Sequence, residues 1–415
     1  MPAGRHAGCS RAWQARPALE IARIFRAHGD AYRAGHVLTP EQHRAMRDIE
    51  TCRTAARGGH LDVCPDCGLV TEPAYNSCGN RHCPKCQALA QQRWIEERTE
   101  RILPTHHFHV VFTLPDDLRQ LLRRNPRLLY GALFAASART LLELGNDPQR
   151  LGARLGITAV LHTWNRDLEF HPHVHCIVTG GGLSPDGQRW SAAPTDYLFP
   201  TAVLAPLLRG KFLDHLRRLY ERGALDLQGG CAELATPRAF DELLDHLYCI
   251  DWHTYVKPPF GGPENTIQYL GRYTHRTGIS NQRLLEITDR IVTFLTKDGG
   301  RIAVTPAEFI RRFLLHVLPK NFVRIRHYGL MASGAAALLR DQARKLLLPP
   351  ASAAHPESTS TPSPTSPSPT TTDPATPEPL LPVCPRCGRA RLVRRELKPI
   401  RCIGSAMPTA TLDTS

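Results

Sequence analysis

The stretch Glu169-Phe170-His171-Pro172-His173-Val174-His175-Cys176-Ile177-Val178-Thr179 carries three histidines at alternate positions. Successive side chains of a β-strand point to opposite faces, so His171, His173 and His175 share one face. Val174 points the other way and is expected to pack into the core. A row of imidazoles on one face is a platform for a divalent metal ion. A surface strand that carries histidines by chance is the alternative, and the adjoining glycine run 180–182 favours the metal interpretation.

Two further segments are predicted to form strands near this one. Residues 107–115 indicate a buried strand that ends at a proline, and residues 157–164 indicate a second strand. The short polar turn 165–167 would join the second strand to the histidine strand as a β-hairpin. This hairpin brings His162 or Asp167 close to the histidines, and either residue is a candidate third metal ligand.

The composition favours a basic protein that binds a polyanion. The chain has 415 residues, a formal net charge of +14 and a pI of about 9.4, which point to nucleic acid. No apolar run of about 18 residues is present, so we expect no membrane association. The first residues lack an apolar signal segment. The chain has thirteen cysteines, several of them in CxxC pairs, which suit metal binding in a reducing compartment. We therefore expect a cytoplasmic location.

A cysteine- and histidine-rich module follows two predicted amphipathic helices. Two CxxC pairs lie at a sequence separation typical of zinc ribbons and predict one structural zinc site. Its ligands would be Cys64, Cys67, Cys83 and Cys86. Four further residues are candidates for a second zinc ion: Cys52, His60, Cys78 and His82. The alternative for this second set is packing or a DNA-facing role.

Two tyrosines stand out in the stretch 263–276. If this stretch is helical, Tyr269 and Tyr273 are one turn apart and emerge on one face, with Arg272 and Arg276 on a neighbouring face. Tyrosine pairs on helices are usually core or interface residues. The arginines favour catalysis, because a phenol that attacks a phosphodiester needs cations near the developing charge.

The C-terminal third adds basic and unstructured segments. Residues 320–329 form a basic, aromatic stretch suited to a nucleic-acid backbone, with Lys320, Arg324 and Arg326 as candidate contacts. A structural edge strand is the alternative. Residues 350–383 are rich in Pro, Ser and Thr and are predicted to be a disordered linker. Cys384 and Cys387 form half of a zinc knuckle that lacks two local ligands, so no metal is assigned to it.

The combined features suit one chemistry. A divalent ion stabilises the scissile phosphate, and a tyrosine attacks phosphorus and keeps the 5′ phosphate. The covalent link retains the energy of the broken bond, and no Walker motif is present, so no ATP is expected. A second tyrosine on the same face would permit a second strand transfer.

These motifs also carry a family resemblance over about residues 18–332. The matching segments are Cys52–Thr54, Gly59–His60, Cys64–Gly68, Tyr75–Gln87, Val110–Pro115, His171–Gly182, Arg209–Phe212, Lys257–Pro263, Tyr269–Arg276 and His316–Gly329. The chain resembles the rolling-circle insertion-sequence transposases with paired tyrosines, of the IS91 type, in the HUH superfamily of single-strand endonucleases.

The resemblance implies an α+β fold, in which helices flank an HUH-type antiparallel sheet behind an N-terminal helical and zinc-ribbon module. It implies that His173 and His175 hold Mg²⁺ or Mn²⁺, with His171 as an auxiliary candidate. It makes Tyr269 and Tyr273 the nucleophiles and the cysteine module a Zn²⁺-binding region. The implied partners are single-stranded DNA at the element ends and target DNA, in the bacterial nucleoid.

The expected organisation has five parts. Helices occupy residues 1–51, the zinc-binding module 52–103, the transposase core 104–349, the linker 350–383 and a tail 384–415. Two alternatives to a transposase are a replication or mobilisation relaxase and a catalytically inactive, zinc-dependent DNA-binding protein. The zinc module and the lack of a helicase region argue against the relaxase.

Overall fold

A computed structural model describes residues 19–99, 101–257, 265, 271, 278–296, 298–334, 336–348 and 382–400. Its helices are α1 Ile21–Gly35, α2 Pro40–Thr51, α3 Pro84–Thr99, α4 Arg119–Arg124, α5 Pro126–Asn146, α6 Thr201–Glu221, α7 Pro237–Cys249, α8 Pro306–Leu314 and α9 Ala336–Leu347. Its strands are β1 Gly59–Val63, β2 Ala74–Tyr75, β3 His107–Thr113, β4 Arg154–Trp164, β5 Phe170–Leu183, β6 Trp190–Ala192, β7 Thr254–Lys257, β8 Leu284–Ile287, β9 Val292–Leu295, β10 Arg301–Val304, β11 Ile325–Gly329 and β12 Val393–Leu397. The segment predicted as a disordered linker lies almost wholly outside the described residues.

The central element is an antiparallel sheet in the order β11-β4-β5-β3-β7, with β6 added at the end of β5. The predicted hairpin is present, because β4 and β5 pair along most of their length. Helices flank this sheet, so the predicted α+β class with an antiparallel sheet is confirmed.

One face of the sheet is buried under helices. Val174, Cys176 and Val178 of β5 lie in a core with residues from α5, α6 and α7. As expected from the alternation of the strand, these apolar side chains exclude the histidines from this face. Packing of this face fixes the register, because a shift of one residue would turn the histidines into the helical core.

The N-terminal helices belong to a second core. α1 and α2 pack with α8 and with a three-stranded sheet in the order β10-β9-β8. Phe25 of α1 meets Phe313 of α8 edge-to-face, with ring centroids 5.2 Å apart. Thr39 caps α2 in a full capping box with Gln42.

The cysteine module contains a small sheet of its own. β1 lies between β2 and β12, so the C-terminal segment 382–400 is part of this sheet. None of the helices in the described part of the chain is both long enough and apolar enough to cross a membrane.

Candidate functional site

Three histidines converge on the face of the central sheet opposite the helical core. His162 of β4 lies directly across from His173 of β5, and His175 follows two residues later. One ring nitrogen from each of these residues lies within 4.8 Å of the others. All three are buried. We call His162, His173 and His175 the histidine cluster.

Hydrogen bonds at the far ring nitrogens orient two members of the cluster. His173 Nδ1 lies 2.7 Å from the carbonyl oxygen of His171, which can only accept, so the Nδ1 of a neutral His173 carries the proton. His175 Nδ1 lies 2.8 Å from Nε2 of His109 on β3. The Nε2 atoms of His173 and His175 are 3.0 Å apart, so both point to the same place.

The chemistry of the cluster fits a divalent ion. Burial lowers the pKa of His173 to about 4, because the imidazolium would lose its hydration. His173 is therefore neutral near pH 7, the form that binds metal. Metal-binding histidines usually donate their second nitrogen to a carbonyl or another acceptor, as His173 does to His171 and as His175 can to His109.

The cluster lines an open cleft of about 450 Å³. Asp167 also lines this cleft, but the geometry selects His162 over Asp167 as the third member of the cluster. His171, the auxiliary candidate, lies outside the cluster, and its Nδ1 is 3.9 Å from Asp116 Oδ1. The reason is the register of the hairpin, which sets His162 against His173.

The predicted nucleophiles Tyr269 and Tyr273 lie outside the described residues, as do Arg272 and Arg276. Gly271, between the two tyrosines in sequence, is described and is both helical and buried.

Gly271 lies against α3 on the cluster side of the sheet. A β-carbon on Gly271 would come 2.4 Å from Cδ1 of Ile95. Ile95 packs with Trp94 against Val160 and Ile177. Val160 precedes His162 by two residues and Ile177 follows His175 by two, so both share the face of the histidine cluster. Gly271 therefore lies beside this face.

One group of four cysteines lies where α2 and α3 meet. Its members are Cys52, Cys78, Cys83 and Cys86. The Sγ atoms of Cys52 and Cys78 each lie 3.6 Å from that of Cys86. Sulfurs bound to a tetrahedral zinc ion at about 2.3 Å are roughly 3.8 Å apart, so this spacing suits zinc.

A second group consists of Cys64, Cys67, Cys384 and Cys387. The predicted grouping of Cys64 and Cys67 with Cys83 and Cys86 is therefore wrong. The physical reason is the pairing of β1 with β12, which carries a distant knuckle to the first one.

The two histidines of the predicted second zinc set lie outside both cysteine groups. His60 is on β1 and joins neither group among the described residues. His82 is committed elsewhere, because its Nδ1 lies 3.1 Å from Asn80 Oδ1 and its Nε2 accepts from the Leu318 amide at 3.2 Å. Burial lowers the pKa of His82 to about 3. Cys52 and Cys78 take the ligand positions instead.

The three candidate DNA contacts differ in their exposure and in what they contact. Lys320 is exposed and lines an open cleft together with Arg44 and Arg47. Arg324 is buried, which lowers its pKa to about 10, so it is not a surface contact. Arg326 places its guanidinium 4.4 Å from the ring centroid of Phe134, a cation–π contact within the fold.

Sequence reasoning missed the role of His109. The signal was available, because His107 and His109 repeat the alternate spacing of the histidine strand on the neighbouring strand β3. It also missed Cys384 and Cys387 as candidate metal ligands, since their partners are more than 300 residues away.

Comparisons with known proteins assign this chain to a family. The family model described as "Putative transposase" matches residues 156–337, and the model described as "Transposase zinc-binding domain" matches residues 24–114. "Putative transposase y4qJ" of Sinorhizobium fredii (strain NBRC 101917 / NGR234) is 43% identical over 394 residues, covering 92% of this chain and 96% of that protein. "Transposase for insertion sequence element IS801" of Pseudomonas savastanoi pv. phaseolicola is 31% identical over 277 residues, 62% of each chain. No solved structure matches. The chain therefore belongs to the IS91-type transposase family, whose zinc-binding domain it carries and whose partner is DNA.

Proposed function

We propose that this transposase nicks and rejoins the single-stranded ends of its insertion sequence through 5′-phosphotyrosine intermediates, by a rolling-circle route. The observation that carries this proposal is the histidine cluster, whose three donor nitrogens converge in an open cleft. Gly271, two residues from each of the paired tyrosines in sequence, packs on the same side of the sheet. A catalytic Mg²⁺ or Mn²⁺ ion, distinct from structural zinc, belongs to the proposal.

His162, His173 and His175 would hold the ion. When bound, a divalent ion supplies Lewis-acid stabilisation of charge on the scissile phosphate and the leaving 3′ oxygen. The carbonyl of His171 and the ring of His109 keep the rings of His173 and His175 oriented. This prearranged set of donors avoids the cost of reorganising the site when the ion enters.

Tyr269 and Tyr273 are the proposed nucleophiles. In each transfer the phenolic oxygen forms a bond to phosphorus, the bond from phosphorus to the 3′ oxygen breaks, and that oxygen leaves with a proton as a 3′-hydroxyl. The phenolic proton is lost. The reverse attack by a 3′-hydroxyl rejoins the strand and restores the phenol, so no nucleotide hydrolysis is needed. The position of Gly271 supports the assignment, because Tyr269 precedes it and Tyr273 follows it by only two residues each.

A basic cleft supports a path for the DNA. Arg44 and Arg47 of α2 and Lys320 line an open cleft of about 540 Å³ between α2 and residues 317–321. All three side chains are exposed. Cations along an open groove attract a phosphate backbone without reading its sequence.

The test is a covalent-adduct assay with the full-length protein and Mn²⁺. Single-stranded oligonucleotides tiled across both ends of the element, labelled at the 3′ end, are incubated with the protein and separated under denaturing conditions. We expect a labelled protein–DNA adduct that disappears when Tyr269→Phe and Tyr273→Phe are combined. Tyr248→Phe is the matched control, because Tyr248 is an exposed tyrosine on α7.

Mass spectrometry of the adduct would assign the modified tyrosine. A protein that binds the end oligonucleotides but forms no adduct with any divalent ion would refute the nuclease and support a DNA-binding protein without catalysis. An adduct that persists in the double variant would refute the assigned nucleophiles.

A further inference from the structure

Two distant segments of the chain have the same local build. Cys64-Pro65-Asp66-Cys67-Gly68 and Cys384-Pro385-Arg386-Cys387-Gly388 are both CPxCG sequences. In each, the glycine amide donates to the carbonyl of the first cysteine, at 3.0 Å and 2.9 Å respectively. Each glycine has a left-handed backbone, with φ of 69° and 66°, which glycine adopts at little cost. Both segments are therefore tight turns that present two thiols in the same direction.

The four thiols of these turns meet. The Sγ atoms of Cys64 and Cys387 are 3.6 Å apart, and those of Cys67 and Cys384 are 3.7 Å apart. Both distances match the edge of a zinc tetrathiolate, roughly 3.8 Å. They far exceed the ~2.05 Å of a disulfide bond. Leu392 and partly buried Leu69 pack beside the thiols.

Two paired strands next to the CxxC turns hold the two segments in register: β1 ends just before Cys64, and β12 follows Cys387. β12 pairs with β1 in antiparallel fashion from Gly59 opposite Leu397 to Val63 opposite Val393. Arg394 donates two hydrogen bonds to the carboxylate of Asp62, at 3.0 Å and 3.3 Å. These hydrogen bonds lower the pKa of Asp62.

The same segment reaches the neighbourhood of the first cysteine group. The Ile400 amide donates to the carbonyl of Ala55 at 3.1 Å, three residues beyond Cys52. A β-carbon on Gly58 would come 2.5 Å from the Leu397 carbonyl oxygen, so the backbones of the two segments are in close contact.

We propose that Cys64, Cys67, Cys384 and Cys387 bind one zinc ion that clasps the C-terminal segment to the N-terminal module. The family model for the zinc-binding domain ends at residue 114, and the clasp extends that domain with residues 382–400. The clasp closes the whole transposase core into one loop and anchors six exposed basic residues beside the module. They are Arg386, Arg389, Arg391, Arg394, Arg395 and Lys398.

The first test counts zinc in the full-length protein by elemental analysis. The double variant Cys384→Ser/Cys387→Ser should lose one zinc equivalent per chain relative to wild type. Cys249→Ser is the matched control, because Cys249 is exposed and belongs to neither cysteine group. An unchanged zinc content in the double variant would overturn the proposal.

The second test measures whether the clasp holds the segment without the peptide link. A specific protease site is inserted after residue 366, the folded protein is cut, and the products are separated by size. The C-terminal fragment should co-elute with the remainder in the wild type and separate from it in Cys64→Ser/Cys67→Ser. Separation in the wild type, or co-elution in the variant, would contradict the clasp. Neither result depends on DNA cleavage, so failure here is distinct from failure of the proposed function.

Discussion

Replacing His109 by leucine should weaken the divalent ion site without touching a ligand. His109 Nε2 lies 2.8 Å from His175 Nδ1, and both residues are buried. If His175 binds an ion through Nε2 as a neutral imidazole, its proton must be on Nδ1, and His109 is then the acceptor. Leucine cannot accept this proton.

The His109→Leu substitution should destabilise the ion-bound protein more than the ion-free protein. Without an ion, His175 can carry its proton on Nε2, 3.0 Å from His173 Nε2, so the leucine variant leaves no buried donor unpaired. Ion binding moves the proton to Nδ1, where an unpaired buried donor costs about 1–3 kcal/mol. Loss of such a supporting partner typically weakens metal affinity by about 10- to 100-fold. His109→Gln, which offers an amide oxygen near the position of Nε2, should recover most of the loss.

The assay is a titration of the full-length protein with Mn²⁺, read by the electron paramagnetic resonance signal of the free ion. His107→Leu is the matched control, because His107 is buried on the same strand and makes no hydrogen bond to the cluster among the described residues. The reasoning fails if His109→Leu binds Mn²⁺ as tightly as wild type, or if His107→Leu loses as much affinity.

Three further outcomes are expected. Burial lowers the pKa of His316 to about 4, whereas the pKa of an unfolded histidine is about 6.5. Between these pH values the unfolded chain binds a proton that the folded chain does not, so the free energy of unfolding decreases as the pH falls from 6.5 to 4. In chemical denaturation, His316→Gln should reduce this pH slope by up to about 1.4 kcal/mol per pH unit, and an unchanged slope would contradict it. Gly271→Ala should lower adduct yield with unchanged Mn²⁺ affinity, and adding Ile95→Ala should restore it; no rescue would mean that their contact does not position the tyrosines. Lys320→Ala should weaken binding of single-stranded oligonucleotides about equally across sequences. Binding isotherms at several salt concentrations should show that the slope of log K against log salt concentration becomes less steep by the contribution of about one phosphate contact. An unaltered slope would exclude Lys320 as a phosphate contact.

The β4–β5 hairpin was predictable because its signals are local. Alternating histidines and apolar residues define two faces, and a polar turn joins two adjacent strands. The choice between His162 and Asp167 was not predictable. It depends on a register shift between His162 and Trp164, which sequence periodicity does not reveal.

The grouping of the cysteines, in contrast, could not be predicted from local sequence. Each CxxC pair was recognisable on its own, since two thiols on a tight turn are a local feature. Which pairs share an ion is a tertiary property. It depends on strand β12 returning to β1 after the entire core, and sequence spacing favoured the nearer but wrong partner.

In the proposed reaction, an ion on the histidine cluster contacts the scissile phosphate. The most direct measurement uses end oligonucleotides with a single non-bridging sulfur at the cleaved phosphate, each stereoisomer separately. Sulfur binds Mg²⁺ poorly and Mn²⁺ better, so we predict slow adduct formation with Mg²⁺ for one isomer and recovery with Mn²⁺. Equal rates for oxygen and sulfur substrates with Mg²⁺, in both isomers, would contradict the account.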